Sequence, residues 1–270
     1  MQGSGYQIKE LGELVGKVLL FGGPYSNLQA SQALKAIATQ AGIPPGNRIC
    51  TGDVVAYCAD PAETLHFWQD ICELVAGNCE KQLGAGAADC GCGFTAGSAC
   101  EVLAKDWYPY ATSRLADQDQ KYLAEAPDII VFTHNNQRCA VIHGGVFDTA
   151  KFLWSISPDC EFEQEIQQIQ KLVGPIDRVI SGHSGIAFQR QFGAVEWVNT
   201  GAIGMPANDG NPKTSYLTLD QNGIQFERLS YDHQKASDRM RQVGLVQGYE
   251  KSLISGYWPS QDILPKKLRR

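Results

Sequence analysis

The sequence predicts a layered α/β sandwich. Strand-type and helix-type segments alternate through the first half, the second half is rich in short strands, and no repeat or low-complexity linker divides the 270 residues. A single domain spanning 1–270 is expected.

The elements follow in order. "KVLLFGG" is a buried strand, and "SNLQASQALKAIATQAG" carries apolar residues at helical spacing up to a stop at Gly42. "PPGNRICTGD" reads as a turn, a short strand and a polar loop. "DPAETLHFWQDICELV" reads as a helix, with Asp60 as its cap and Pro61 in its first turn. "AGNCEKQLGAGAADCGCGFTAGSAC" has no clear period and reads as a Gly- and Cys-rich loop. "EVLAKDWYPYATSRLADQDQKYLAEA" is helical, with a break expected at Pro109. "DIIVFT" and "RCAVIHGG" are strands around the "NNQ" turn, and "CEFEQEIQQIQKLVG" is a helix. "DRVISGHSG", "IAFQRQF" and "AVEWVNTG" are strands or strand ends. "TSYLTLD" and "IQFERLSYD" form a hairpin on an Asn-Gly turn, and helix follows over roughly 232–255.

Composition narrows the function classes. Hydrophobic residues make up 43% of the chain, enough for a core without disulfides. A formal net charge of -6 argues against a nucleic-acid footprint, and the basic tail "LPKKLRR" reads as a solvated end. No stretch reaches the roughly 18 apolar residues of a spanning helix, so no membrane association is expected. The N-terminus lacks a basic start and an apolar run. The nine cysteines therefore read mostly as reduced thiols in a cytoplasm, with metal binding as the exception.

Polar residues with metal-binding chemistry stand at strand ends beside glycine: Asp53 in "GDVVAY", Asn78 in "GNCE", His143 in "VIHGG" and His183 in "SGHSG". A neighbouring glycine lets the backbone turn and brings the side chain to the sheet edge. One carboxylate, one amide oxygen and two imidazoles suit Mn, Fe or Zn.

In this order the pieces resemble the calcineurin-like metallophosphoesterases, whose blocks are D-x-H, G-D, G-N-H-D/E, a strand-end H and G-H-x-H. Here "GGPYSN", "TGDVVAYCADP", "GNCE", "VIHGG" and "SGHSG" stand in those places. "NTGAIGMPANDGNPKTSYLTL" resembles the bacterial branch similar to diadenosine polyphosphate and small phosphodiester hydrolases. The resemblance covers about Lys17 to Tyr231. It implies a four-layer α/β/β/α sandwich of two mixed sheets with a core at about 17–231 and a helical extension over about 232–270.

The resemblance also implies an altered metal site. In the family one ion is held by the first-block Asp and His and the second His of the last block; here those places read Gly23, Tyr25 and Gly185. The other ion's protein ligands are all present: Asp53, Asn78, His143 and His183. Cys79 replaces the usual catalytic histidine of the third block, a replacement that occurs in the family. The expected function is a phosphoesterase with one divalent transition ion, hydrolysing a small phosphorylated compound or nucleotide through Asp53, Cys79 and His143. The alternative is a weak or inactive scaffold that binds metal, phosphate or a partner.

Tyr25 either replaces a ligand or packs over the vacated first site. Cys90 and Cys92, with Cys79 and Cys100 near them in sequence, form a thiolate-assisted site, a redox pair at the pocket edge, or simply small reduced residues in a Gly-rich loop. Arg190 is a candidate phosphate contact, and Asn199 is expected to support the site from a turn. Tyr57, His66 and His134 read as structural.

Overall fold

The computed structural model describes residues 5–92 and 99–270. Sheet A has six strands in the order β1-β5-β6-β7-β9-β8: β1 (Ile8–Glu13), β5 (Ile129–His134), β6 (Gln137–Val141), β7 (Arg178–Ser181), β9 (Val195–Asn199) and β8 (Phe188–Phe192). Sheet B has five, in the order β11-β10-β2-β3-β4: β11 (Gly223–Leu229), β10 (Thr214–Asp220), β2 (Val18–Phe21), β3 (Arg48–Cys50) and β4 (Glu73–Leu74). Parallel and antiparallel pairs occur in both, so both sheets are mixed.

The strand sequences explain the layering. In β2 all four side chains are buried, and alternation sends Leu19 and Phe21 to one face and Val18 and Leu20 to the other. Val18, Leu20, Ile49 and Leu217 meet Ile130, Phe132, Val141 and Ile180 between the two sheets. The outer face of sheet B packs under α1 (Leu28–Gln40), α2 (Pro61–Gln69), α3 (Asn78–Gly84), α4 (Ala99–Thr112), α5 (Asp117–Ala124), α7 (His233–Gln242) and α8 (Tyr249–Ser255). The outer face of sheet A packs under α6 (Asp159–Val173) through Phe162, Ile166 and Ile169. Helix, sheet, sheet and helix are thus joined by three apolar cores, the predicted four-layer sandwich.

Local chemistry sets several boundaries. The Asn27 side chain caps α1 by accepting from the Ala30 N–H at 3.1 Å. Asn135 and Asn136 both adopt positive φ, which closes the β5–β6 hairpin in two residues. Asp60 stands at the start of α2, but its carboxylate makes no cap bond; it accepts from Arg239 Nε at 2.8 Å and ties α7 to the body.

Four expectations change. The segment after Ala76 is not all loop: α3 begins at Asn78, because Glu80 turns back to accept the Gly77 N–H at 2.8 Å. The helix after Asp60 ends at Gln69, and Glu73–Leu74 pairs with β3 as an edge strand. Pro109 lies inside α4, and the break comes later, before Asp117. Upstream of Lys17, β1 adds an outer strand to sheet A although five of its six residues are exposed and its apolar residues, Ile8 and Leu11, do not alternate.

Candidate metal centre

The four predicted ligands come from four different elements. Asp53 follows β3, Asn78 opens α3, His143 follows β6 and His183 follows β7. β3, β6 and β7 belong to the parallel parts of the two sheets, and their carboxyl ends converge. Backbone hydrogen bonds lock these loops together: Tyr25 N–H to the Asp53 carbonyl at 3.1 Å, Gly182 N–H to the His143 carbonyl at 2.7 Å, and Gly23 N–H to the Gly52 carbonyl at 3.1 Å. Tyr25, Ser26, Asp53 and His183 all hold positive φ, a conformation that persists in non-glycine residues only where packing enforces it.

At the centre stands His143 Nε2. It lies 3.2 Å from Asp53 Oδ2, 3.1 Å from Asn78 Oδ1 and 3.0 Å from His183 Nδ1. His143 Nδ1 lies 2.6 Å from the Thr51 carbonyl, which fixes a proton on that nitrogen. In its neutral form the ring turns a lone pair toward three further acceptor-capable atoms, an arrangement that a cation among them would satisfy. Metal bonds of about 2.0–2.2 Å would set four tetrahedral donors roughly 3.4 Å apart, close to the spacing found. The donor set, one carboxylate oxygen, one amide oxygen and two imidazole nitrogens, fits a divalent transition ion. Asp53, His143 and His183 alone form a compact ligand group.

The electrostatics agree. Burial raises the Asp53 carboxyl, but the His143 charge and hydrogen bond, His183 and the Cys79 N–H outweigh it and hold the group below the usual carboxylate value. Burial alone would lower His143; Asp53 and the Thr51 carbonyl raise it above 6.5. Burial and then the His143 charge push His183 down to about 3, so its imidazole is neutral and can ligate at pH 7.

Two supporting groups escaped the sequence reading. Glu80 is fully buried and accepts the N–H groups of Asp53 at 2.7 Å, Val54 at 2.8 Å and Gly77 at 2.8 Å, which fixes the Asp53 turn. Burial and the Asp53 charge push it up to about 7. Its only signal was its place in "GNCE". Phe152 lies with its ring centre 4.2 Å from that of His183 and carries no motif at all. The Asn199 amide donates to the Gly182 carbonyl and to Ser184 Oγ at 3.0 Å, on either side of His183 in its turn.

Arg190 is not brought to the site. On edge strand β8 it binds Asp159 and the Ser157 carbonyl and stacks over Phe162 and Phe192. His134 Nε2 donates to the Gly16 carbonyl at 2.7 Å, and His66 meets Asp119 at 2.7 Å, both away from the four converging side chains. Cys79 is fully buried behind Asn78 rather than on the cavity wall; burial and then Asp53 raise its thiol well above the usual range. Cys90 and Cys92 are paired as a disulfide, and Cys92 does line the cavity. The Cys100 side chain lies outside the described residues.

The Tyr25 ring lies between Gly23 and Gly185. A Cβ at Gly23 would overlap its ring, and a Cβ at Gly185 would fall 3.7 Å from its hydroxyl and 3.6 Å from Trp258 Cζ2. The ring packs edge-on against Tyr57 at 4.9 Å, and burial followed by the Asp53 charge raises its phenol well above 10. The ring thus fills the space between the Asp53 turn, Gly23 and Tyr57. Beside it lies a cavity of about 50 Å³ whose walls include Asp53, His183, Phe152, Tyr249, Trp258 and Ile263. None of its described lining residues is Lys or Arg.

Among solved structures, the chain is similar to a metallophosphoesterase from Sphaerobacter thermophilus, at 18% identity and a TM-score of 0.66 over 90% of this chain and 100% of the other. It is similar to a hypothetical protein from Pyrococcus horikoshii OT3, at 17% identity and a TM-score of 0.71 over 89% and 98%. A candidate diadenosine tetraphosphatase matches at 13% identity with a TM-score of 0.50 over 83% and 99%. No family model matches, and neither does any curated protein. What these structures share with the chain is the fold, two mixed sheets between flanking helices.

Proposed function

We propose that this chain, which has the calcineurin-like metallophosphoesterase fold, binds one divalent transition ion through Asp53, Asn78, His143 and His183 and hydrolyses a small phosphodiester. The observation that carries the reading is the convergence of three donor atoms on His143 Nε2 at 3.0–3.2 Å. When bound, such an ion polarises a phosphoryl oxygen and acidifies a water. The chain's own residues do the rest. Thr51 and Glu80 hold His143 and the Asp53 turn, Asn199 holds the His183 turn, and Trp258 and Phe152 exclude bulk water from the cavity.

The wall chemistry favours a diester. With no Lys or Arg on the described walls, the two charges of a phosphomonoester would have little compensation beyond the ion, whereas a diester carries one. Aromatic walls suit a flat or apolar substituent. Hydrolysis of bis(p-nitrophenyl) phosphate and of p-nitrophenyl phosphate, with and without added Mn(II), tests this. The proposal expects Mn-dependent turnover that favours the diester and is lost in Asp53→Ala. Equal or greater monoester turnover would remove the diester assignment.

A second reading is a metal-binding scaffold without turnover. It is favoured by the C-terminal segment, whose Trp258, Pro259, Ser260 and Ile263 roof a cavity too small for a nucleotide. Metal binding without hydrolysis of either ester would select it.

A further inference from the structure

We propose that Cys90 and Cys92 form a thiol–disulfide site whose redox state sets metal affinity through Asn78, a proposal that rests on the metal-site reading above. An asparagine ligates through its oxygen only if its amide nitrogen is held elsewhere. Asn78 Oδ1 faces His143 Nε2 at 3.1 Å, and among the described residues the partners of Nδ2 are cysteines: the Cys90 carbonyl at 3.0 Å, Cys92 Sγ at 3.3 Å and Cys79 Sγ at 3.5 Å. Two of these three partners belong to the Cys90–Cys92 pair.

The loop is shaped for that pairing. Gly91, between the two cysteines, has φ +56, and a Cβ there would lie 2.6 Å from Gln82 Nε2, so both conformation and space call for glycine. The Gly91 N–H is held by Asp89 Oδ1 at 2.9 Å, and Tyr108 donates to the Ala87 carbonyl at 3.1 Å. Joining the sulfurs closes a small ring around Gly91 and limits the orientations of the Cys90 carbonyl. Opening it frees that carbonyl and moves the Cys92 sulfur, and the Asn78 amide loses the partners that turn its oxygen inward.

The ligand class is a dithiol reductant. One thiolate attacks a sulfur of the pair, forming a mixed disulfide and releasing the other as a thiolate that takes a proton. The second thiol closes the reductant into a cyclic disulfide and releases the remaining protein thiol, so two electrons and two protons pass to the protein. Both cysteines are buried and Cys92 lines the cavity, so a small reductant reaches the pair from the cavity side. Partners of a ligand's second atom typically contribute 10–100-fold to metal affinity, so reduction is expected to weaken binding about tenfold.

The test uses the full chain and Mn(II), which has little affinity for thiols. Mn(II) dissociation constants are measured on protein as oxidised and after reduction with a phosphine, which takes the sulfur pair to two thiols as water supplies oxygen to phosphorus. Alkylation and mass measurement count the thiols. The proposal expects two more alkylated cysteines after reduction, a dissociation constant about tenfold higher, and a Cys90→Ser/Cys92→Ser variant that stays at the weaker value with or without phosphine. Should that variant fold poorly, Gly91→Ala, which keeps both sulfurs, is expected to lower the oxidised fraction and weaken binding in parallel. No change in thiol count, or equal affinity in both states, overturns the coupling while leaving the metal site intact. Absence of Mn(II) binding in both states overturns the metal site as well.

Discussion

His143 carries the proton that metal binding must displace. Its pKa is raised above 6.5 after Asp53 and the Thr51 carbonyl overcome burial, while Asp53 is held low, so each group favours the charged form of the other. Binding an ion releases the His143 proton, and affinity is expected to climb about tenfold per pH unit until the raised His143 value is passed, then level off. Titration with Mn(II) between pH 5 and 9 reads this; a flat profile would show that His143 is not a ligand. His183 acts in another window. It is neutral in the fold down to about 3, whereas the unfolded chain protonates near 6.5. The unfolded state binds the extra proton between those values, so stability from this group rises with pH across about 3–6.5. Above 6.5 the raised His143 works the other way, and its stabilisation fades as pH passes the folded value. Tyr25→Phe removes a hydroxyl but keeps the packed ring, so metal content is expected to stay unchanged; loss of the ion would make the phenol a ligand. The convergence of Asp53, Asn78, His143 and His183 was legible because each stands beside glycine at a strand end or helix start, in block order. Phe152 was not, because its role depends on contact rather than on a local pattern. Arg190 misled because a guanidinium suits phosphate in isolation, whereas the fold gives it Asp159 and an aromatic bed.

At the scale of elements, the segment after α8 is the part most changed in meaning. The sequence showed a helical extension; the structure shows that the extension continues into a roof. Trp258 Nε1 donates to the Pro206 carbonyl at 2.7 Å, its backbone N–H donates to Asn208 Oδ1 at 2.9 Å, and its ring covers Gly185. Trp258→Ala is expected to open the cavity and to speed removal of the ion by a chelator several-fold, with the number of bound ions unchanged; stopped-flow chelation measures it, and an unchanged rate would place the entry path elsewhere. The short elements were the hard ones to read. β4 spans two residues, and α3 is recognisable only once Glu80 is seen bonding back to Gly77. β1 is mostly exposed and gains its identity from its partner β5, not from an alternating pattern of its own. The long periodic helices and the Asn-rich turns followed directly from their sequences.

Across the whole molecule, two mixed sheets bring the ends of β3, β6 and β7 to one edge and so assemble ligands more than 100 residues apart in sequence, with Asp53 and His183 at the extremes. The layering was legible because buried strands read as continuous apolar runs and spaced blocks agreed in order. Where the Tyr25 ring packs was not, since its contacts with Tyr57 and the Gly23 backbone arise only in three dimensions. The proposed single ion, linking four loops, would stabilise the folded state by mass action, about 2.7 kcal/mol at a hundredfold excess over its dissociation constant. The central claim, one ion per chain, is tested most directly by elemental analysis of natively purified protein beside Asp53→Ala and His183→Ala. The account predicts close to one transition ion per chain in the native protein and strong depletion in both variants. Two ions per chain, or full retention in either variant, would contradict it.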